Sequence, residues 1–367
     1  MNICYSFGVK YCGVKYRIIF FGSSEFAIPS LEKLIFSEIY DVLAVVTQPD
    51  KPVGRDHVLF STPVKKYAEL HHILLLEDAP ENFISHFSSW NIDLGIVIAY
   101  GAILPSKLLS IPRRGFINLH ASLLPQYRGA SPVQTALLHG DTETGVSIIQ
   151  VNPRVDRGAI FTQKSFSIRP SDTSSSLLTA LSKLGAVLLI DTLPRFFRDE
   201  LIPLKQDDSI ATFSRKIRRD DGLIQWNNQS AETIISMYRA YVPWPGISTF
   251  YQKKRLKITE ISFTPFLFSP LQDDVSLYNF ISSDDDVSSQ YGFLSQPGTV
   301  FRIVEKRLPD DKNAVHNNPV VANKHIGIVT KGGQAVILKR VQLEGKKEMD
   351  IESFVRGNPQ FIGQVLS

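Results

Sequence analysis

Within FINLHASLLPQYRGASP, residues 116–132, a polar pair interrupts an apolar run: Asn118 and His120 alternate with Ile117 and Leu119. In an extended chain alternate side chains share a face, so Asn118 and His120 project together and the two aliphatic residues project the other way. Asn carries amide N–H donors, and His is a donor or an acid near neutral pH. Two such groups aimed at one point can meet negative charge developing on a carbonyl oxygen; one oxyanion donor is typically worth about 2.7–4 kcal/mol. A carboxylate is still required to manage protons and to hold the imidazole. Asp156, beside Gly158 in VNPRVDRGAIF, is the candidate. On this pattern alone two plainer readings stay open. Asn118 and His120 would also serve to satisfy buried backbone groups, and Asp156 would serve as a turn residue.

The surrounding elements decide whether such a pair can be presented to a ligand. KYRIIFF, YDVLAVVTQ, IDLGIVIAYG, GFINLHA and TGVSIIQV are continuous apolar runs, with helical patterns such as SPVQTALLHG and SSLLTALSKLGAVLLIDTL between or after them. Strands apolar on both faces, alternating with helices, imply a mostly parallel α/β sheet. A polar pair near the end of one such strand belongs to the crevice where these folds bind ligands. The SLLPQYRGASP segment, with Pro125, Gly129 and Pro132, follows as a rigid loop able to present backbone groups. We expect this domain over residues 17–200 and a linker over 201–215. Residues 216–367 then form a second domain of short β-like segments with Gly turns, a small barrel or sandwich. Two polar stretches near 266–296 and 305–325 read as surface insertions of that domain.

Several chemistries are disfavoured. The Gly22-Ser23-Ser24 turn is not a dinucleotide fingerprint, and neither a GxxxxGK[ST] phosphate loop nor a GxSxG nucleophile elbow occurs. HHI at 71–73 has no partner at metal-ligand spacing, so no metal is expected. The two cysteines, Cys4 and Cys12, lack a redox or metal spacing partner and fit a reducing compartment. A net charge of +4 permits a polyanionic partner without demanding one. No apolar run reaches the ~20 residues needed to cross a bilayer, and no membrane association is expected. Residues 1–16 contain Lys10 and Lys15 and no acidic residue, which fits a targeting segment. The expected compartment is therefore the mitochondrial matrix, with the bacterial cytoplasm as the alternative.

Asn118, His120, SLLP at 122–125, RG at 128–129 and Asp156 together resemble the active-site signature of the folate-dependent formyltransferases. FGSSEFAIPSLEKL, VVTQPDKPVGR, STPVKKYA, IVIAYGAILP, GDTETGVSIIQV, DGLIQW, YVPWPG and LEGKKEM extend the likeness over nearly the whole chain from Arg17. It is closest to the branch of that family acting on a charged tRNA. The resemblance implies a Rossmann-like catalytic domain, an OB-like C-terminal β-barrel and a monomer. It implies transfer of a formyl group from 10-formyltetrahydrofolate to the amine of methionyl initiator tRNA, without a metal. By motif match Asn118, His120 and Asp156 are the catalytic trio, and Ser122, Leu123, Leu124 and Pro125 contact the folate. Arg55 in PDKPVGR contacts tRNA, and basic residues of the second domain bind it as well. There are departures. Ala121 stands where related enzymes commonly have Gly, GRDHVLF lacks a lysine pair after its arginine, and Asp284, Asp285 and Asp286 put negative charge on a domain expected to meet RNA. Formyltransferases acting on a nucleotide precursor or a sugar nucleotide are the nearest rivals. A binding protein without catalysis is a more distant one.

Overall fold

The computed structural model describes residues 5–6, 9–10, 15–53, 58–262, 266–267, 296–306 and 321–366. Arg55, most of the expected N-terminal extension and most of both polar insertions lie outside these residues. The chain divides into two compact units, the first comprising Met1–Ala136, Asp141–Arg169 and Ser175–Lys216, and the second the remainder.

The first unit is built on β1 (Tyr16–Gly22), β2 (Tyr40–Val46), β3 (Leu75–Leu76), β4 (Leu94–Ile98), β5 (Phe116–His120), β6 (Glu143–Gln150) and β7 (Ile160–Ser167). They form one seven-stranded sheet in the order β7-β6-β5-β4-β1-β2-β3. Pairing is parallel from β3 through β5 and antiparallel from β5 to β6 and from β6 to β7. The central strands read as strands because both faces are covered: Ile18, Ile19, Phe20 and Phe21 are wholly buried. β7 is not legible in the same way. It is the outer strand, and IFTQKSFS is mostly exposed or half-buried, so no continuous apolar run marks it.

One face of the sheet holds an aromatic cluster in which Phe21 meets Tyr100 and Phe116 edge-on, with ring centroids 5.3 and 5.6 Å away. Helices of this unit include α1 (Ile28–Ile35), which follows the β1 turn, and α2 (Ser174–Phe197), which backs β5. By length and composition α2 would suffice to cross a membrane, a length the polar residues within it hide from a search for apolar runs. Its Leu177, Leu181, Ala186, Leu189 and Leu193 are buried inside the protein. A Cβ added at Gly185 would lie 2.6 Å from Leu119 Cδ2, so glycine lets α2 approach β5 on the face opposite Asn118 and His120.

The carboxyl ends of the parallel strands are stitched together at one edge. Ser23 Oγ, just after β1, donates to Tyr100 O at 2.9 Å beyond β4 and accepts from Gln48 N at 3.2 Å beyond β2. His120 ends β5 on that same edge, the location expected for a ligand crevice.

Residues 201–215, expected as a linker, are grouped with the first unit. Thr212 N donates to Pro125 O at 3.2 Å, its carbonyl accepts from Arg128 N at 3.0 Å, and Phe213–Ser214 pairs in parallel with Arg128–Gly129.

The second unit carries α3 (Ala231–Tyr241), capped by Ser230 Oγ accepting from Thr233 N at 3.3 Å, and an antiparallel sheet. Its strands run in the order Ile247–Tyr251, Lys254–Ile261, Gln334–Leu343, Val321–Val329, Val300–Lys306. The architecture is thus the expected mostly parallel α/β unit followed by a smaller β unit.

Candidate active site

Asn118 and His120 reach the same side of β5 by the strand's alternation, and a turn after β6 brings Asp156 to them. Asn118 Nδ2 donates to Asp156 Oδ1 at 3.3 Å. His120 Nδ1 lies 3.6 Å from Asp156 Oδ2, an ion-pair separation longer than a hydrogen bond. The backbone N–H of Gly129 donates to that same Oδ2 at 2.8 Å. The Asp156 carboxylate is therefore the hub of the cluster, and the three residues picked out by spacing converge.

The imidazole tautomer follows from its surroundings. His120 Nε2 is 3.0 Å from Tyr127 O, and a carbonyl can only accept, so Nε2 carries a proton. Nδ1 is left facing the Asp156 carboxylate. The ring is 6% exposed, so the Tyr127 carbonyl holds an orientation that water cannot readily disturb. Tyr127 is held in turn by Thr212, whose Oγ1 accepts from Tyr127 N at 2.9 Å, and by its own hydroxyl, which donates to Asp141 Oδ2 at 2.6 Å. Burial, reinforced by Asp141, pushes the Tyr127 phenol well above its ordinary range, so it acts as a neutral donor. Tyr100, at the end of β4, is pushed up to about 12 by burial.

Two backbone positions make the convergence possible. Asp156 sits at φ +53, a left-handed conformation uncommon for a residue with a side chain. Gly129 has φ +117, and a Cβ there would lie 2.2 Å from Ser214 O. Only glycine allows the 128–129 segment to pair with Phe213–Ser214 and still aim its N–H at Asp156.

The Ser122–Pro125 segment is fixed from below by β6 and β7. Ser147 Oγ donates to Ser122 O at 2.6 Å and accepts from Leu124 N at 3.1 Å and Gln163 Nε2 at 2.8 Å. Gln163 Nε2 also donates to Leu124 O at 2.9 Å, and Leu124 packs on Ile149 and Ile160. Ser122 Oγ donates to Gln126 O at 2.6 Å. The carbonyls of Ser122, Leu123, Leu124 and Pro125 each already hold a partner inside the protein. The loop is tied to the protein by hydrogen bonds, and its carbonyls serve the fold before they serve a ligand.

Residues that sequence reasoning does not single out complete this region: Tyr127, Ser147, Gln163 and Gln206. Ser147 had a signal, a lone hydroxyl inside the apolar run TGVSIIQV that proves fully buried. Nothing in the pattern marks the other three. Among the described residues, no group of three or more His, Cys, Asp or Glu side chains is placed to hold a metal ion. Of the basic residues of the second domain expected to meet RNA, Arg255 pairs with Asp220 at 3.0 Å and Arg340 with Glu348 at 2.7 Å, so part of that charge is neutralised within the second unit.

Comparison with known proteins gives this geometry a context. Residues 16–193 match the family model described as formyl transferase, and residues 216–270 and 275–359 match that of the formyl transferase C-terminal domain. A methionyl-tRNA formyltransferase from Geobacter metallireducens is 43% identical over 344 residues, covering 93% of this chain and 95% of the relative. One from Caldicellulosiruptor saccharolyticus is 34% identical over 355 residues, covering 95% and 99%. Among solved structures, HypX from Aquifex aeolicus in complex with tetrahydrofolic acid superposes with a TM-score of 0.56 at 14% identity over 95% of this chain. This chain spans about half of HypX, 48% of its length. An N-formyltransferase from Helicobacter canadensis, in complex with folinic acid and dTDP-3-aminofucose, gives 0.56 at 16% identity, covering 89% and 99%. At these identities the structural likeness speaks for the fold alone.

Proposed function

The chain belongs to the formyl transferase family, and from that premise we propose that it transfers the formyl group of 10-formyltetrahydrofolate to the amino group of methionyl initiator tRNA, for translation initiation. The near full-length identity to methionyl-tRNA formyltransferases supports the substrate. The observation that carries the chemistry is the Asp156 carboxylate, which accepts from Asn118 Nδ2 and Gly129 N and lies 3.6 Å from His120 Nδ1.

An α-amine titrates near 7.7–8.0, and esterifying the neighbouring carboxyl lowers that, so the nucleophile is largely neutral at working pH. The harder task is to hold amine and formyl carbon in contact, which is worth about 7–11 kcal/mol when done well. Leu123 and Pro125 line the folate side, with Ser122 and Leu124 buried beneath them and braced by Ser147 and Gln163. As the amine nitrogen bonds to the formyl carbon, the carbonyl electrons move onto oxygen. Asn118, with one amide hydrogen committed to Asp156, has its second N–H to meet that oxyanion. Asp156 accepts the amine proton. The oxyanion's electrons then re-form the carbonyl as the C–N10 bond breaks, and the proton passes from Asp156 to N10, with His120 Nδ1 sharing it in the interval. His120, its Nε2 occupied by Tyr127 O, acts in this arrangement through Asp156 rather than as a separate oxyanion donor. No bond to the enzyme forms.

RNA is held largely through charge on the second unit and by the PDKPVGR loop with Arg55. The protein works as a monomer, free of membrane. The relatives compared are bacterial, which supports a bacterial cytoplasm; a mitochondrial location finds no support among them. The test is the transfer of labelled formyl from 10-formyltetrahydrofolate to methionyl-tRNA, initiator against elongator. The reading predicts rapid transfer to the initiator and much slower transfer to the elongator. Equal rates, or transfer only to a sugar nucleotide, would overturn it.

A further inference from the structure

We propose that Gln206 is a positioning residue for Asp156, so that the stretch expected as a linker sets the geometry of the proton-transfer group; this rests on the role assigned to Asp156 above. Gln206 is 7% exposed, and every polar atom of its amide is used. Its Nε2 donates to Asp156 O at 2.8 Å and to Gly158 O at 2.7 Å. Its Oε1 accepts from Arg128 Nε at 3.0 Å. The amide has one possible orientation, because carbonyls only accept and a guanidinium only donates.

The two carbonyls that Gln206 grips flank Arg157, so the clamp spans the turn that carries Asp156. That turn needs a clamp. Asp156 is in the left-handed region at φ +53, and a residue with a side chain stays there only where its surroundings over-determine it. The carboxylate bonds to Asn118 and Gly129 act on the far end of the same residue. Gln206 acts on its backbone. Together they fix both ends of the Asp156 side chain's lever.

Arg128 anchors the clamp. It is 1% exposed, and its Nη1 donates to Asp208 Oδ1 at 2.7 Å. A buried guanidinium is costly unless paired and hydrogen-bonded, so Arg128 holds Gln206 and Asp208 against the 128–129 segment. The next residue, Gly129, is the one whose N–H reaches Asp156 Oδ2. Arg128 thus links the backbone clamp to the carboxylate contact.

Substituting Gln206→Glu keeps the side-chain volume and the acceptor for Arg128 while removing both donors to the turn. Gln206→Met removes donors and acceptor together and serves as a second variant. The expected result for Gln206→Glu is a folded protein with a lowered melting temperature, because a carboxylate oxygen now faces two carbonyls, and kcat for formyl transfer lower by about 10²-fold, the cost of a misplaced catalytic group. The KM for 10-formyltetrahydrofolate stays within about twofold, because the Ser122–Pro125 segment is held by other residues. Hydrogen exchange across 152–158 quickens in Gln206→Met while the sheet keeps its protection. A wild-type kcat in either folded variant, a folate KM rising in step with the fall in kcat, or unchanged exchange across 152–158 would overturn the assignment. A wild-type enzyme that transfers no formyl would instead sink the functional reading, and this inference with it.

Discussion

The strand end at 116–129 and the stretch at 201–214 both serve Asp156, by opposite means. The first is regular: β5 buries Ile117 and Leu119 and spends its alternation on Asn118 and His120. The second has little regular structure and leaves Ile202 92% exposed and Phe213 63% exposed, yet it buries Gln206 and pairs with the loop at 128–129. The first region contributes chemistry through side chains placed by a repeating pattern. The second contributes geometry through individual hydrogen bonds to backbone atoms, which no repeat announces. A site can therefore be half written in periodicity and half in single contacts.

The residue joining the two regions should be the most sensitive. Asp156→Asn keeps the size of the side chain but removes the proton acceptor, and kcat should fall by about 10²–10⁴-fold, with folate binding retained by equilibrium titration. Retained turnover would detach the chemistry from this junction.

Support beneath the strand comes next. Gly185→Val places a side chain where a Cβ already meets Leu119 Cδ2 at 2.6 Å. Overpacking of this kind costs about 1–3 kcal/mol, measurable by denaturant unfolding, whereas no loss would mean that α2 does not press on β5. Ser147→Ala removes the hydroxyl bonded to Ser122 O and Leu124 N. A stability loss of about 1 kcal/mol and a raised KM for 10-formyltetrahydrofolate at nearly constant kcat should follow.

The smallest effect belongs to Asp208, in the irregular stretch. The hydrogen bond from Arg128 holds the Asp208 carboxyl below its ordinary value of 3.8. A depressed folded-state value means that the pairing stabilises the protein above the ordinary carboxylate range and is lost as pH falls through the depressed value. Asp208→Asn should lower Tm slightly at pH 7 and not at all in acid below that value. A difference that persists in acid would separate Asp208 from Arg128.

Much of the first unit is legible from continuous apolar runs, because parallel strands covered on both faces have no polar side to interrupt them. β7 is hidden, since the outer strand is wet. Asn118 and His120 stand out as polar residues in an apolar strand, and the motif around them points to the family. Asp156 is proposed from its loop, but its left-handed backbone is invisible in a sequence, where Asp in such a turn is ordinary. Gln206 lies in a polar segment broken by Pro203, which reads as a connector; its burial comes from Arg128, a charge some eighty positions earlier that demands partners. Arg55 and most of the polar insertions fall outside the described residues, so the role expected of Arg55 stands as a proposal.

The central claim is that Asn118, at the end of β5, meets the oxyanion of the transferring formyl group. The most direct test is single-turnover transfer of labelled formyl to methionyl initiator tRNA by Asn118→Ala, with both substrates saturating. Loss of one oxyanion donor predicts a rate lower by about 10²–10³-fold in a folded protein that still binds folate. A rate equal to that of the wild type would contradict the account.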